Sequence, residues 1–218
     1  GLRDLGHVEG TNIVIEPRSA EKFDRMPELA AQLIRLNVDI IVAGGTPAIR
    51  AARQASETIP IVIAAVGDAV AGGLVASLAR PGGNTTGSTY FAPELAAKQL
   101  DLLKEAFPRL GRVAILVNPD NRATVPTYSA VEIAAGPLKL DLERFEVRAP
   151  SEFEGAFAAM AKGRVDAVLI IDDPVTISNP GAIAELAIRH RLPSSAGFIE
   201  YGEAGGLFAY GVDLNELW

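Results

Sequence analysis

The chain contains no cysteine, which excludes disulfides, thiolate metal sites and a cysteine nucleophile together. Its only histidines are His7 and His190. His190 is expected in the last turn of a helix, where a cation suits the dipole, and needs no catalytic role. Aromatic residues make up 6% of the chain, and no apolar run approaches the roughly 20 residues that span a bilayer. Cations are outnumbered as well: 20 lysines and arginines face 27 acidic residues, for a net charge of -7. The basic residues are scattered, whereas nucleic-acid affinity rests on clustered ones, so no nucleic-acid partner is expected. The chain also lacks a G-x-S-x-G elbow, an H-E-x-x-H pair and a Walker phosphate loop. Gly82-Gly83 and Gly205-Gly206 do not have the spacing of a dinucleotide cradle. On this inventory no enzymatic activity, cofactor or metal is expected.

What is present is the material of a folded α/β protein. Hydrophobic residues at 49% and charged residues at 22% match an ordinary globular chain. Short β-branched runs alternate with helical patterns throughout, the signature of parallel sheets wrapped by helices. The pattern predicts strands at 12–16, 38–43 and 59–66 and helices at 23–36, 47–57 and 69–79. The run at 38–43 is continuously apolar, as for a strand buried on both faces. Arg80-Pro81-Gly82-Gly83-Asn84 then punctuates the chain, and 85–90 reads as an extended crossing between two lobes. The rhythm restarts with helices at 93–107, 127–135, 151–161 and 181–191 and strands at 112–117, 142–147, 167–171 and 193–198. Pro126, Gly136 and Pro137 are expected to interrupt any helix over 125–140. A short strand at 207–210 reads as the chain returning toward the first lobe. The expected division is 1–86 with 208–218 for an N-terminal lobe and 87–207 for a C-terminal lobe. Gly1 to Gly6 reads as the tail of a helix, and Asn215 to Trp218 as the start of one. Both ends are therefore expected to be incomplete.

One local pattern repeats: a buried strand, a small polar residue, a proline, then a helix. It occurs at Thr46-Pro47, Asn118-Pro119 and Asp173-Pro174, with Asp68-Ala69 as a proline-free variant. Taken singly, a polar cap before proline is an ordinary helix start. Taken together, these positions sit at the carboxyl ends of parallel strands, where α/β sheets place ligands against helix N-termini. If two lobes face each other across those edges, the caps line one cleft suited to a small solute with an anionic end. Thr46, with Gly44 and Gly45 permitting close backbone approach, is the candidate for gripping a carboxylate. Gly67 precedes Asp68, and Asp68, Asp172 and Asp173 are candidates for holding an ammonium, though each is equally placed as a cap or turn residue. Tyr90, Phe91, Phe198 and Tyr201 follow strand ends and are candidates for stacking on a planar ligand, against the plainer reading that they are core.

Several stretches carry a family resemblance: Gly1 to Gly10, Pro27-Glu28-Leu29-Ala30, Val42 to Ala48, Val66-Gly67-Asp68, Ser77 to Asn84 with its Ala-Arg-Pro-Gly-Gly-Asn run, Arg189 to Pro193, and Glu203 to Gly211. In these the chain resembles ABC transporter substrate-binding proteins related to the tryptophan-binding TrpX group. The resemblance implies a type I periplasmic-binding-protein fold, two Rossmann-like lobes joined by a hinge. It implies a monomer that hands a small solute, such as an aromatic amino acid or related aromatic carboxylate, to the membrane permease of an ABC importer. It also implies export by a signal peptide, with residence in the periplasm or at a lipid anchor outside the cytoplasmic membrane. Relatives carry a strand before Gly1 and further helices after Trp218, and usually show Asp-Pro where this chain has Asp68-Ala69. The alternative from another class is the ligand-sensing domain of a regulator, which shares this fold but would bring a DNA-binding module not found in these residues.

Overall fold

In a computed structural model of the chain, residues 2–20, 22–90 and 92–213 are described. Two parallel sheets account for the strands, one in each lobe. The first has three strands, β1 (Ile41–Ala43), β2 (Ile61–Ile63) and β3 (Thr85–Gly87), in that order. Helices α1 (Met26–Arg35) and α2 (Thr46–Ala55) belong to this lobe and pack on each other. Ile41, Ala43, Ile61 and Ile63 point to one face and pack with Ile49, Ala52 and Leu74. The alternate residue Val42 is 65% exposed. The strand expected to be buried on both faces is thus covered on one.

The second sheet has five strands in the order β5-β4-β6-β7-β8: β4 (Arg112–Val117), β5 (Asp141–Glu146), β6 (Ala167–Ile170), β7 (Ser194–Phe198) and β8 (Phe208–Val212). Its helices are α3 (Ala92–Ala106), α4 (Val125–Leu138), α5 (Phe153–Gly163), α6 (Pro174–Ile177), α7 (Pro180–Arg189) and α8 (Ile199–Glu203). Strand alternation divides β4 between two cores. Val113, Ile115 and Val117 meet Leu100 and Leu103 of α3 and Val131 of α4. Ala114 and Leu116 meet Phe153, Phe157 and Met160 of α5 and Ile183 of α7. Helices on both faces of a parallel sheet explain why β4, β6 and β7 read as unbroken apolar or small-residue runs.

Several expectations are corrected. The segment 12–16 forms no strand: it makes a single bridge, Glu9 to Ile13, and Val14 is 79% exposed, because no neighbouring strand offers a ladder. No helix forms over 69–79. The Asp68 carboxylate takes up the Val70 and Ala71 amides, and Gly72-Gly73, with Gly73 at φ 66°, closes a single turn. Conversely α4 is continuous. Pro126 occupies its first turn, where no amide is wasted, and Pro137 falls in its last. The strand expected to return to the first lobe is β8, hydrogen-bonded to β7 as the outer strand of the second sheet. The expectation at the start of the chain stands: residues 2–6 close on Gly6, φ 85°, with the His7 amide donating to the Leu2 carbonyl and the Gly6 amide to the Arg3 carbonyl, the pattern in which a helix ends. The helix start read at 215–218 lies outside the described residues.

Candidate functional site

The carboxyl ends of β1, β2, β4 and β6 converge on a cavity of about 250 Å³ between the lobes. The first lobe presents mostly backbone. Gly44, Gly45 and Thr46 come from the β1–α2 turn, and Ala65 to Asp68 from the segment after β2. Gly45 caps α2 at φ 77° and ψ 143°, a conformation that other residues avoid. A Cβ placed there would lie 2.8 Å from Cγ of Pro174, so glycine lets the lobes meet at this point. The Thr46 side chain is buried at the first turn of α2, whose leading amides have no partner within the helix.

The second lobe presents side chains. Asn121, Thr124 and Thr127 line the cavity at the entrance to α4, and Asp172 and Asp173 line it after β6. Asp173 is fully engaged: Oδ1 accepts from Asn118 Nδ2 at 3.1 Å and the Val175 amide at 2.9 Å, and Oδ2 accepts from Asn121 Nδ2 at 2.8 Å. Its own amide donates to Thr176 Oγ1 at 3.0 Å, completing a reciprocal cap on α6. Burial raises the Asp173 pKa from its ordinary value, and the bonds from Asn121, Val175 and Asn118 oppose the shift.

Asp172 is held differently. Oδ1 accepts from the Gly197 amide at 3.1 Å, and the Tyr90 hydroxyl also donates to this carboxylate. The approach to Gly197 is so close that a Cβ there would collide with Asp172 Oδ2. Burial, with smaller contributions from Asp173 and Glu200, raises the Asp172 pKa to about 7. Tyr90 belongs to the crossing between β3 and α3, and its amide donates to the Val66 carbonyl of the first lobe at 3.0 Å. One residue thus joins the backbone of one lobe to a carboxylate of the other. Burial and the two aspartates raise the pKa of its phenol.

Of the residues singled out from the sequence, Gly45, Thr46, Gly67, Asp68, Tyr90, Asp172 and Asp173 come together around this cavity. Asn118 stands behind it, positioning Asp173. Phe198 and Tyr201 do not reach it. Both are fully buried in the second lobe, ring edge to ring face at 6.1 Å, and the Tyr201 hydroxyl donates to Ser194 Oγ at 2.6 Å. Residue 198 ends a strand covered on both faces, so its side chain enters the core. Phe91 lies outside the described residues. Asn121, Thr124 and Thr127 were missed, because they sit just past the Asn118-Pro119 cap in a stretch whose prolines concealed a helix. Among the described residues no group of acidic and histidine side chains has metal-site geometry.

The family model for ABC transporter substrate-binding proteins matches residues 1–217. The chain belongs to that family. Among curated relatives, this family member is 27% identical over 218 residues to a tyrosine-binding protein of Clostridioides difficile, covering 99% of this chain and 62% of that protein. It therefore spans less than two thirds of that relative's length. A Vibrio cholerae domain protein aligns with TM-score 0.90 at 25% identity, over 99% of this chain and 72% of that one. A Streptococcus pneumoniae domain in complex with L-Trp gives 0.88 at 23% identity, with the same coverage. The ligand-free, open structure of a Clostridium difficile substrate-binding protein gives only 0.59 at 25% identity, again with the same coverage. The fold is the type I periplasmic-binding-protein fold that the sequence led us to expect.

Proposed function

We propose that this protein captures a small solute between its lobes and delivers it to the membrane permease of an ABC importer. The observation that carries this reading is the cavity itself: both lobes line it, at the carboxyl ends of strands from both sheets. A solute seated there contacts both walls only when the lobes are closed, so its binding energy favours closure. The α2 N-terminus at Thr46 suits a carboxylate through its unpaired amides and the helix dipole. A volume of about 250 Å³ suits one amino-acid-sized molecule.

The solute class best supported is an aromatic amino acid or related aromatic carboxylate. The support comes from the relatives, one named for binding tyrosine and one solved with L-Trp, and from the apolar wall formed by Ala65, Val66, Ala92 and Ile177. The role is binding and not catalysis, exercised by a monomer outside the cytoplasmic membrane, in the periplasm or at a lipid anchor. No helix among the described residues is long and apolar enough to cross a membrane.

A thermal-shift screen of the purified protein against aromatic amino acids, aromatic acids, branched-chain amino acids and sugars tests this reading. At about a hundred times its dissociation constant, a true ligand adds about 2.7 kcal/mol of stability. We expect a selective shift with an aromatic solute. A shift confined to sugars or branched-chain amino acids would refute the solute class.

A further inference from the structure

The three carboxylates on the cavity differ in what they have left to offer. Asp68 Oδ1 is occupied by the Val70 and Ala71 amides at 3.0 and 2.9 Å, closing its own turn, and this half-buried carboxylate keeps access to water, which serves its other oxygen. Asp173 has both oxygens committed to Asn118, Asn121 and Val175. Among the described residues Asp172 receives only the Gly197 amide and the Tyr90 hydroxyl, and a carboxylate offers about four acceptor positions. It faces the cavity with capacity to spare. Among the described residues no lysine, arginine or histidine lines that cavity, and the other charged groups acting on Asp172 are acidic, Asp173 and Glu200. A carboxylate taken out of water among like charges calls for a cation, and none of the described residues of the wall provides one.

We infer that Asp172 is the specificity residue that demands an ammonium group, so that the cavity takes an α-amino acid and rejects the deaminated acid of the same ring. The inference rests on the reading of this cavity as a solute site and narrows it. The solute's ammonium sits against Asp172 while its carboxylate meets the α2 N-terminus, two poles supplied by opposite lobes. Tyr90 and Gly197 are positioning residues: they fix the carboxylate from two sides and leave its remaining lone pairs toward the solute. A deaminated acid would bring a second negative charge to Asp172 and gain nothing in return.

Isothermal titration decides the matter. L-tyrosine and L-tryptophan are compared with 3-(4-hydroxyphenyl)propionate and indole-3-propionate, on the natural protein and on Asp172→Asn, which keeps the shape and the acceptor for Gly197. We expect the favoured amino acid to bind the natural protein at least about tenfold more tightly than its deaminated counterpart. Asp172→Asn should weaken the amino acid by about tenfold or more while leaving the deaminated acid unchanged or tighter. Equal binding of the two by the natural protein, or equal loss of both on substitution, would overturn the inference and leave the solute site standing. No binding of any of the four, in protein shown folded by circular dichroism, would overturn the solute reading and this inference with it.

Discussion

The two lobes solve the same architectural problem with unequal means. In the second, the central strands β4, β6 and β7 are buried on both faces, and separate apolar clusters fill the space on either side. In the first, the strands are three residues long and the outward residue of β1 is open. Their contributions to the cavity divide along the same line. The robust lobe supplies the side chains that need fixed positions, Asn121, Asp172 and Asp173, each held by a partner in a packed framework. The slighter lobe supplies glycines, backbone and a helix terminus, chemistry that tolerates a less crowded support.

Deletions in the two sheets should break this comparison most forcefully. Leu116→Ala removes a wholly buried side chain from β4 and should cost about 2–5 kcal/mol. Val42→Ala, at a 65% exposed position on β1, should stay within about 0.5 kcal/mol. Urea titration followed by circular dichroism measures both. Equal losses would show that the first sheet's outer face is covered in solution.

The contact between the lobes gives the next largest effect. Gly45→Ala forces a side chain into a φ of 77° and against Pro174, a strain of about 1–3 kcal/mol. Both consequences oppose closure. We expect solute affinity to fall about tenfold or more, with scattering profiles that stay expanded when ligand is added. Unaltered affinity would show that the lobes meet elsewhere.

Tyr90→Phe is milder. It keeps the ring and the first-lobe backbone hydrogen bond and removes only the hydroxyl donated to Asp172. Hydrogen bonds to charged groups contribute about 1.5–3 kcal/mol. Solute dissociation, followed by stopped-flow fluorescence, should therefore accelerate by about tenfold or more, with association little changed. A selective loss of association would place Tyr90 in encounter and not in retention.

The same asymmetry explains what could be read from the sequence. The second lobe was legible nearly strand by strand, because long apolar runs between helices leave few alternatives. The first was legible only in outline. Its strands shrink to three residues, the run at 12–16 finds no neighbour, and Gly72-Gly73 turns a helical pattern into one turn. Polar caps after strands pointed to most of the residues singled out that line the cavity, since that signal is local. The aromatic candidates failed at Phe198 and Tyr201, because on a strand covered from both sides no periodicity distinguishes core from cleft. Asn121 carried no such signal. Its role depends on a carboxylate 52 residues away in the chain.

The smallest effect close to neutrality, and the most diagnostic, is that of pH. Asp172 is pushed up to about 7 by burial, with Asp173 and Glu200 adding to the shift and Gly197 and Tyr90 opposing it. Below that pH the group is neutral in the ligand-free protein, while an ammonium on the solute favours the ionised form. Affinity for an amino acid should therefore be level above about pH 7 and fall below it, approaching tenfold per unit, with uptake of the solute releasing a proton. Stability runs the other way. The native state holds this proton between the ordinary carboxylate value of 3.8 and about 7, whereas the unfolded chain does not. The ligand-free protein consequently loses stability as pH rises through that window. Asp172→Asn should remove both trends, giving a pH-independent affinity and a melting temperature at pH 8 a few degrees above that of the natural protein. Such a substitution would trade recognition for stability in the lobe that supplies the charged side chains. An affinity that stays level from pH 8 to 5 would mean that Asp172 does not meet the solute's charge, and would shift the second lobe's contribution to Asn121 and the threonines of α4.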